Sequence, residues 1–381
     1  MRLAFLLYKY FPYGGMQRDF CRFVQETQKL GHECRVYYIS WQGEALPGAD
    51  LRKVPASAAS NHSRNQKYYH WVQADLAANP VDGVIGFNKM PGLDVYYAAD
   101  SCYLDKALNE RGWLYRQGGR YRHFSEYEEA VFGSRSNTEI LLISDTEQRK
   151  FEQHYHTDSR RMHMLPPGIS ADRRASEDAP QRRRAAREGL GLEAEDHALL
   201  FVGSGFIKKG LDRAIQAVAD VLEEQPTSRV RLFVAGQDKE RRFRKQAKSL
   251  GVAEQVTFLG ARDDVPDLLL GADVLIHPAL DEAAGIVLLE ALVAGLPVIC
   301  TQECGYAHHI VDGRCGLVLC SPFEQKDLNI AVQRTLDGVY RAQCRESALR
   351  YANMTDLYSM HVTGAELIEQ FIQRKMGQSG G

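Results

Sequence analysis

The sequence predicts an α/β fold of two doubly wound, Rossmann-like domains that face each other across a cleft. Three observations carry that prediction. The chain has 381 residues and a mass of 42.9 kDa, roughly two and a half times a typical ~150-residue domain, which is too long for a single core. Its opening residues alternate strand, glycine loop, helix and strand. The same rhythm restarts near Ala198 and runs for about a hundred residues, as expected of repeated βαβ units.

In chain order, Leu3–Tyr8 is an apolar strand, Lys9–Gly15 a Pro/Gly-containing loop and Met16–Leu30 an amphipathic helix. Gly31-His32 closes that helix, and Cys34–Ile39 is a second strand. Such a crossover requires a parallel sheet. Val84–Phe87, Val95–Ala98 and Ile140–Ser144 are apolar runs that add strands to it. Ser170–Leu190 breaks the pattern, with Arg173, Arg174, Arg182, Arg183, Arg184 and Arg187 among acidic residues and alanines and no core-facing period. It reads as a linker or surface helix, with the domain boundary just before it. Strands then follow at Ala198–Val202, Val230–Ala235, Val256–Leu259, Val274–His277 and Val298–Cys300. The helices between them are Leu211–Glu224, Glu240–Leu250, Val265–Leu270 and Ile286–Ala294. The tail, Glu324–Met376, is helical almost throughout. The expected organisation is 1–168, 169–360 and a terminal helix over 361–381 that returns to the first domain.

Composition narrows the function. Hydrophobic residues at 44% and charged residues at 25% exclude a disordered chain, a collagen-like fibre and a coiled coil. Forty-seven Lys+Arg against 49 Asp+Glu give a net charge of -2, so no dominant basic field invites nucleic acid. His277, Asp281, Glu282 and Glu290 interrupt the longest apolar run, which therefore cannot span a bilayer. Met1–Leu7 is too short for a signal peptide and Lys9 follows with no cleavage site, so a cytoplasmic location is expected. The eight cysteines form no CxxC pair, and neither a disulfide framework nor a metal site is expected.

Three loops carry candidate chemistry, each at the C-terminal end of a predicted strand, where open α/β sheets bind ligands. Gly14-Gly15 lets the backbone approach an anion at a helix start, although a plain tight turn explains the pair equally well. Asp19 lies on the same helix face as Gly15, as a cleft residue or a solvated one. The dinucleotide fingerprint GxGxxG is absent, which counts against a hydride-transfer enzyme. In Gly203-Ser204-Gly205-Phe206-Ile207-Lys208-Lys209-Gly210, two lysines precede a helix start. A P-loop needs Ser or Thr after its Lys, and here Gly210 and Leu211 follow, so a magnesium-dependent NTPase is not indicated. Two cations beside a positive helix end suit a leaving diphosphate; surface lysines are the plainer reading. In Asp281–Glu290, Glu282 follows a strand, Ala283-Ala284-Gly285 opens a helix, and Glu290 sits among apolar helix residues. A carboxylate there needs a partner: a ribose diol, or an Arg.

Together, the Gly14-Gly15 loop, the Lys-Gly turn and the Glu-x7-Glu spacing resemble the retaining glycosyltransferases of the GT-B fold, family 4. Leu7–Pro12, Gly86–Tyr96 and Glu282–Glu290 are similar, within that family, to the lipopolysaccharide core enzymes that add the first hexose to heptose. The resemblance covers nearly the whole chain. It implies a UDP-sugar donor and no cofactor or metal. Glu282 would contact the hydroxyls of the transferred sugar, helped by the backbone from Ala283 to Gly285 and on through Ile286 and Val287. Glu290 would hold the UDP ribose, and Lys209, Lys208 and the Gly15 loop would neutralise the diphosphate. Arg173 and Arg262 are implied as further donor contacts, with Asp19 and Asp100 on the sugar and acceptor side. The family usually has Arg where Ser204 stands, so Lys208 is expected to supply that charge, and it often has a His near Asp100. A UDP-sugar epimerase and a non-catalytic sugar-nucleotide scaffold are the competing readings.

The stretch Tyr103–Phe124 interleaves Lys106, Arg111, Arg116, Arg120 and Arg122 with Trp113, Leu114, Tyr115, Tyr121 and Phe124, against only Asp105 and Glu110. Cations with interleaved aromatics suit an anionic membrane surface, and an ordinary solvated helix is the alternative. With the resemblance, the expected membrane-facing segment is 103–132 and the enzyme is peripheral to the cytoplasmic membrane, where its acceptor heptose is lipid-anchored.

Overall fold

Leu3 to Leu6 are buried on both faces, which is the environment of a central parallel strand, and they form β1 (Arg2–Leu6). The computed structural model describes residues 1–12, 14–170 and 173–379. It divides into one unit of 1–168 with 359–381 and a second of 169–358.

In the first unit the strands are β1, β2 (Lys9–Tyr10), β3 (Glu33–Tyr38), β4 (Ser40–Trp41), β5 (Asp50–Lys53), β6 (Gly83–Gly86), β7 (Val95–Ala98), β8 (Glu139–Leu142) and β9 (Met162–Met164). Seven form one sheet in the order β5-β3-β1-β6-β7-β8-β9, and β2 pairs with β4 beside it. Every pairing is parallel. The helix Gly15–Lys29 buries Phe20, Phe23, Val24 and Thr27, the i, i+3, i+4, i+7 stripe of a core-facing helix. The terminal helix Met360–Ser379 docks on this unit. A Cβ at Gly364 would lie 2.2 Å from the Phe23 ring, and one at Gly83 would lie 2.4 Å from Ile372. Two missing side chains therefore set how closely it packs.

The second unit holds β10 (His197–Val202), β11 (Val230–Ala235), β12 (Val256–Gly260), β13 (Val274–His277), β14 (Val298–Thr301) and β15 (Gly316–Leu319). They form one parallel sheet in the order β12-β11-β10-β13-β14-β15. Alternate residues of β10 enter different cores: Ala198 and Leu200 meet Leu288 and Leu292, while Leu199 and Phe201 meet Ile215 and Val218. That is the two-sided burial of a doubly wound sheet. Because all six strands run the same way, the loops after β10, β11, β12, β13 and β14 share one edge.

Three segments differ from the sequence reading. Of the two readings of Ser170–Leu190, linker or surface helix, the helix is the one found, at Ala179–Gly189, but Arg183 and Arg187 are on its packing face rather than in solvent. Arg183 and Arg187 both donate to Asp273, at 2.6 and 3.0 Å, while Arg183 also caps the Leu270 and Ala272 carbonyls. Asp273 is 7% exposed and additionally accepts from the Ala198 N–H, so burial is offset by three donors. Hydrophobic periodicity misses a helix that docks through charge. The Lys9–Gly15 loop contains β2, and the strand read at Ile140–Ser144 ends at Leu142, leaving the Ser144 hydroxyl to cap Glu147 in the helix Asp145–Tyr155.

Candidate active site

The loops at the carboxyl edge of the second sheet gather the candidate donor residues. After β10 the chain turns through Gly203, Gly205 and Gly210, all at positive φ (130°, 78° and 72°). A Cβ on Gly210 would sit 2.0 Å from the Pro278 carbonyl oxygen, and one on Gly203 would sit 2.7 Å from Lys209 Cε. Glycine is therefore obligatory at the first for steric reasons, and it lets the Lys209 stem lie flat over the second. The Leu280 N–H donates to the Lys208 carbonyl at 2.7 Å, tying this turn to the loop after β13. Glu282 is fixed through its backbone: its N–H donates to Glu303 O at 3.3 Å, and Gly305 donates to its carbonyl at 3.0 Å.

These ties bring Lys209 and Glu282 into a short ion pair, with both side chains about four-fifths buried. Burial pushes the Glu282 carboxyl up, but His277 and Lys209 outweigh it and hold the group down at about 2. The Glu282 carboxylate is therefore ionised throughout the physiological range. Ala283 and Ala284 follow, both partly exposed, and Gly285 at φ 82° opens the helix Ile286–Val293. Val287 is buried and Ile286 half-buried at that helix start. Glu290 is on the same helix, with Arg173 Nε 3.6 Å from its Oε1. Arg173 Nε and Nη1 are buried without a hydrogen bond. The Glu–Arg partnership raised from the sequence thus exists, and two buried N–H donors of its guanidinium have no acceptor.

Lys208 and Lys209, adjacent in sequence, differ in setting. The Lys208 side chain is 61% exposed and pairs with Asp281 at 3.3 Å, a surface pair of little energetic weight. Ser204 accepts from the Gln237 N–H at 3.4 Å. Arg262 lies in the loop after β12, where its Nε donates to Asp264 at 2.7 Å. Sequence reading overlooked His277, the last residue of β13. It is fully buried, and its Nε2 lies 3.5 Å from Glu282 Oε2. A His at the carboxyl end of a strand, five residues before a flagged Glu, was the available signal.

In the first unit, Gly14 caps the helix Gly15–Lys29 and Gly15 has open space where a Cβ would point. Asp19 accepts from Tyr97 Oη at 2.9 Å and meets His361 Nε2 at 2.9 Å, so it also anchors the terminal helix. Asp100 is exposed just beyond β7. The segment read as membrane-facing holds the helices Tyr103–Asn109 and Gly119–Phe132 with a 3-10 turn at Tyr115–Gln117 between them, and Trp113 and Leu114 just before that turn are 65% and 69% exposed. Its root is rigid. Glu128, fully buried, accepts from Lys89, from the Tyr103 and Leu104 N–H groups at 2.8 Å each and from Tyr155 Oη at 2.6 Å. Burial pushes that carboxyl up, but Lys89 and these donors leave it below the usual carboxylate range.

Among the described residues no cluster of three His, Cys, Asp or Glu is placed to hold a metal, and no helix is long and apolar enough to cross a membrane.

Residues 182–350 match the family "Glycosyl transferases group 1". The chain is 47% identical over 369 residues to the lipopolysaccharide glucosyltransferase WaaG of Escherichia coli K12, covering 97% of this chain and 98% of that protein. A crystal structure of WaaG, described as a glycosyltransferase involved in lipopolysaccharide biosynthesis, superposes with a TM-score of 0.90 at 46% identity over 96% of this chain and 99% of that one. Anabaena Alr3699/HepE, solved with UDP and glucose, shares the fold at a TM-score of 0.75 and 17% identity, over 97% of this chain and 100% of that one.

Proposed function

The chain belongs to the WaaG family of group 1 glycosyltransferases and is a hexosyltransferase of the GT-B fold; we propose that it moves an α-hexosyl unit from a UDP-sugar to a heptose of the lipopolysaccharide core at the cytoplasmic membrane face, with retention. The observation that supports this best is the Lys209–Glu282 pair at the carboxyl edge of the second sheet, beside a helix start of small residues. In the reading, Glu282 accepts hydrogen bonds from the sugar hydroxyls, backbone N–H groups at Ala283–Gly285 donate to them, and Glu290 with Arg173 holds the ribose. Lys209 meets the diphosphate, Lys208 and Arg262 flank it, and no metal is used. The Gly14-Gly15 turn, Asp19 and Asp100 of the first unit stay with the diphosphate, sugar and acceptor as the resemblance implies.

No side chain here is assigned as a covalent nucleophile, so we take the displacement to be front-face. The bond from the anomeric carbon to the UDP oxygen breaks as the heptose hydroxyl oxygen bonds to that carbon from the same side. The hydroxyl proton passes to the departing β-phosphate, and charge building on that phosphate is what fixed cations stabilise. Glucose is the hexose in the relative's name. An N-acetylhexosamine such as GalNAc makes the same UDP contacts, and Ala283-Ala284 leave room beside them.

The test is UDP release from a panel of UDP-sugars, with and without heptose-terminated lipopolysaccharide core. Acceptor-dependent release from one sugar is expected and names the donor. Sugar interconversion without acceptor would mean an epimerase, and UDP binding without turnover would mean a scaffold. Independently, Glu290→Ala is expected to weaken UDP binding about 10-fold or more, the scale of a lost hydrogen bond to a charged group. Isothermal titration with UDP checks this, and unchanged affinity removes the ribose role.

A further inference from the structure

We infer that His277 is a positioning residue, whose imidazole keeps Glu282 aimed at the sugar when Lys209 turns from that carboxylate to the diphosphate. The inference rests on the donor reading above and deepens it.

The Lys209–Glu282 ion pair sets a requirement on that chemistry. Lys209 is bound to Glu282, yet the proposed chemistry needs the same ammonium on the departing phosphate. Once Lys209 moves, a carboxylate whose side chain is only 19% exposed would lose its counter-charge, which is costly in a partly desolvated site. Among the described residues the other ionisable side chain acting on Glu282 is His277, approaching through Nε2 at 3.5 Å. His277 is 0% exposed, and neither ring nitrogen makes a hydrogen bond. Buried polar groups without partners are rare and call for an explanation. Here the ring is held ready: it ends β13, whose register with β10 and β14 is fixed, and it stacks on the Phe201 ring with centroids 6.2 Å apart and planes inclined by 24°. A carboxylate shift of about half an ångström towards Nε2 would make a charge-assisted hydrogen bond. Burial and the Lys209 charge disfavour a second proton on the ring, while Glu282 favours it. The neutral tautomer with its proton on Nε2 supplies the donor without adding a charge.

The experiment compares His277→Leu and His277→Gln with Glu282→Ala in the full chain. The readouts are kcat and KM for UDP-sugar, UDP affinity and the melting temperature. Leu fills the space without a donor, and Gln restores an N–H near the Nε2 position. His277→Leu is expected to keep the melting temperature and UDP affinity and to lose about 10²-fold in kcat, the scale of a misplaced sugar contact. His277→Gln is expected to recover most of that loss. Normal kcat in His277→Leu, or an equal loss in Leu and Gln accompanied by a lower melting temperature, overturns the inference. If Glu282→Ala turns over normally, the donor reading itself fails; if Glu282→Ala is inactive and His277→Leu is normal, only the role of His277 falls.

Discussion

Lys209→Ala is expected to lower acceptor-dependent UDP release by about 10²-fold or more at saturating donor, the scale seen when one fixed charge-stabilising donor is removed. The size follows from where this lysine sits. Its stem lies across Gly203 and its side chain is about four-fifths buried. Its charge therefore acts through protein more than water, where a unit charge at 4 Å is worth about four times its value in bulk solvent. Lys208→Ala is the internal control. An ammonium whose side chain is 61% exposed and spent on Asp281 contributes little, so its loss should be smaller by an order of magnitude or so. The variant has one further consequence. Without Lys209, the Glu282 carboxyl loses one of the two groups that hold it at about 2. Its pKa rises towards the ordinary value, and the stability this depressed carboxyl contributes above its unfolded pKa shrinks. Near-normal turnover in a folded Lys209→Ala protein would remove Lys209 from the leaving-group role.

What the sequence made legible here is what short-range physics encodes. The βαβ rhythm is a pattern of apolar runs and punctuating glycines, and β10, β11, β13 and β14 follow it because both faces of each are largely buried. The Glu282–Glu290 stretch stood out because a carboxylate among apolar helix residues needs a partner and small residues at a helix start leave space for one. Three features were not legible. The helix Ala179–Gly189 docks through Arg183 and Arg187 onto Asp273, about ninety positions away, and no local period records such a pairing. Glu128 reads as one of several acids on a helix, yet it is the buried hub that fixes the backbone at Tyr103 and Leu104. His277 sits inside an apolar strand run, where a buried histidine is unremarkable until its distance to Glu282 is known. Each omission concerns a charged or polar group read against its partner: Asp273 and Lys89 lie far along the chain from Arg183 and Glu128, and Glu282 is only five positions from His277 but across a loop. Hydrophobic patterning carries no information about such pairings, and geometry supplies it.

Replacing Arg111, Arg116, Arg120 and Arg122 together by Glu is expected to abolish binding to vesicles containing anionic lipid while leaving the fold intact. The four guanidinium groups make no ion pair with a carboxylate among the described residues. Arg111 and Arg120 instead lie over the Tyr115 and Phe124 rings, at 5.6 and 5.5 Å. Unpaired cations near an anionic surface contribute about 1 kcal/mol each, so removing four costs about 4 kcal/mol, on the order of 10³-fold in partitioning. Reversing their sign adds repulsion on top. The buried face of the helix Gly119–Phe132 is His123, Tyr127, Glu128, Val131 and Phe132, none of which is changed. The segment stays rooted through Glu128 and through Glu147, which accepts from the Cys102 N–H at 2.6 Å. Trp113→Ala tests the other half of the surface. An exposed indole beside Leu114 offers apolar area at the headgroup level, and its loss should weaken binding to vesicles of any charge rather than alter the salt dependence. The measurement is co-sedimentation with anionic and with zwitterionic vesicles at low and high salt. Wild-type protein should bind the anionic vesicles and release them as salt rises, and retained binding by the four-fold variant would identify the segment as an ordinary solvated face.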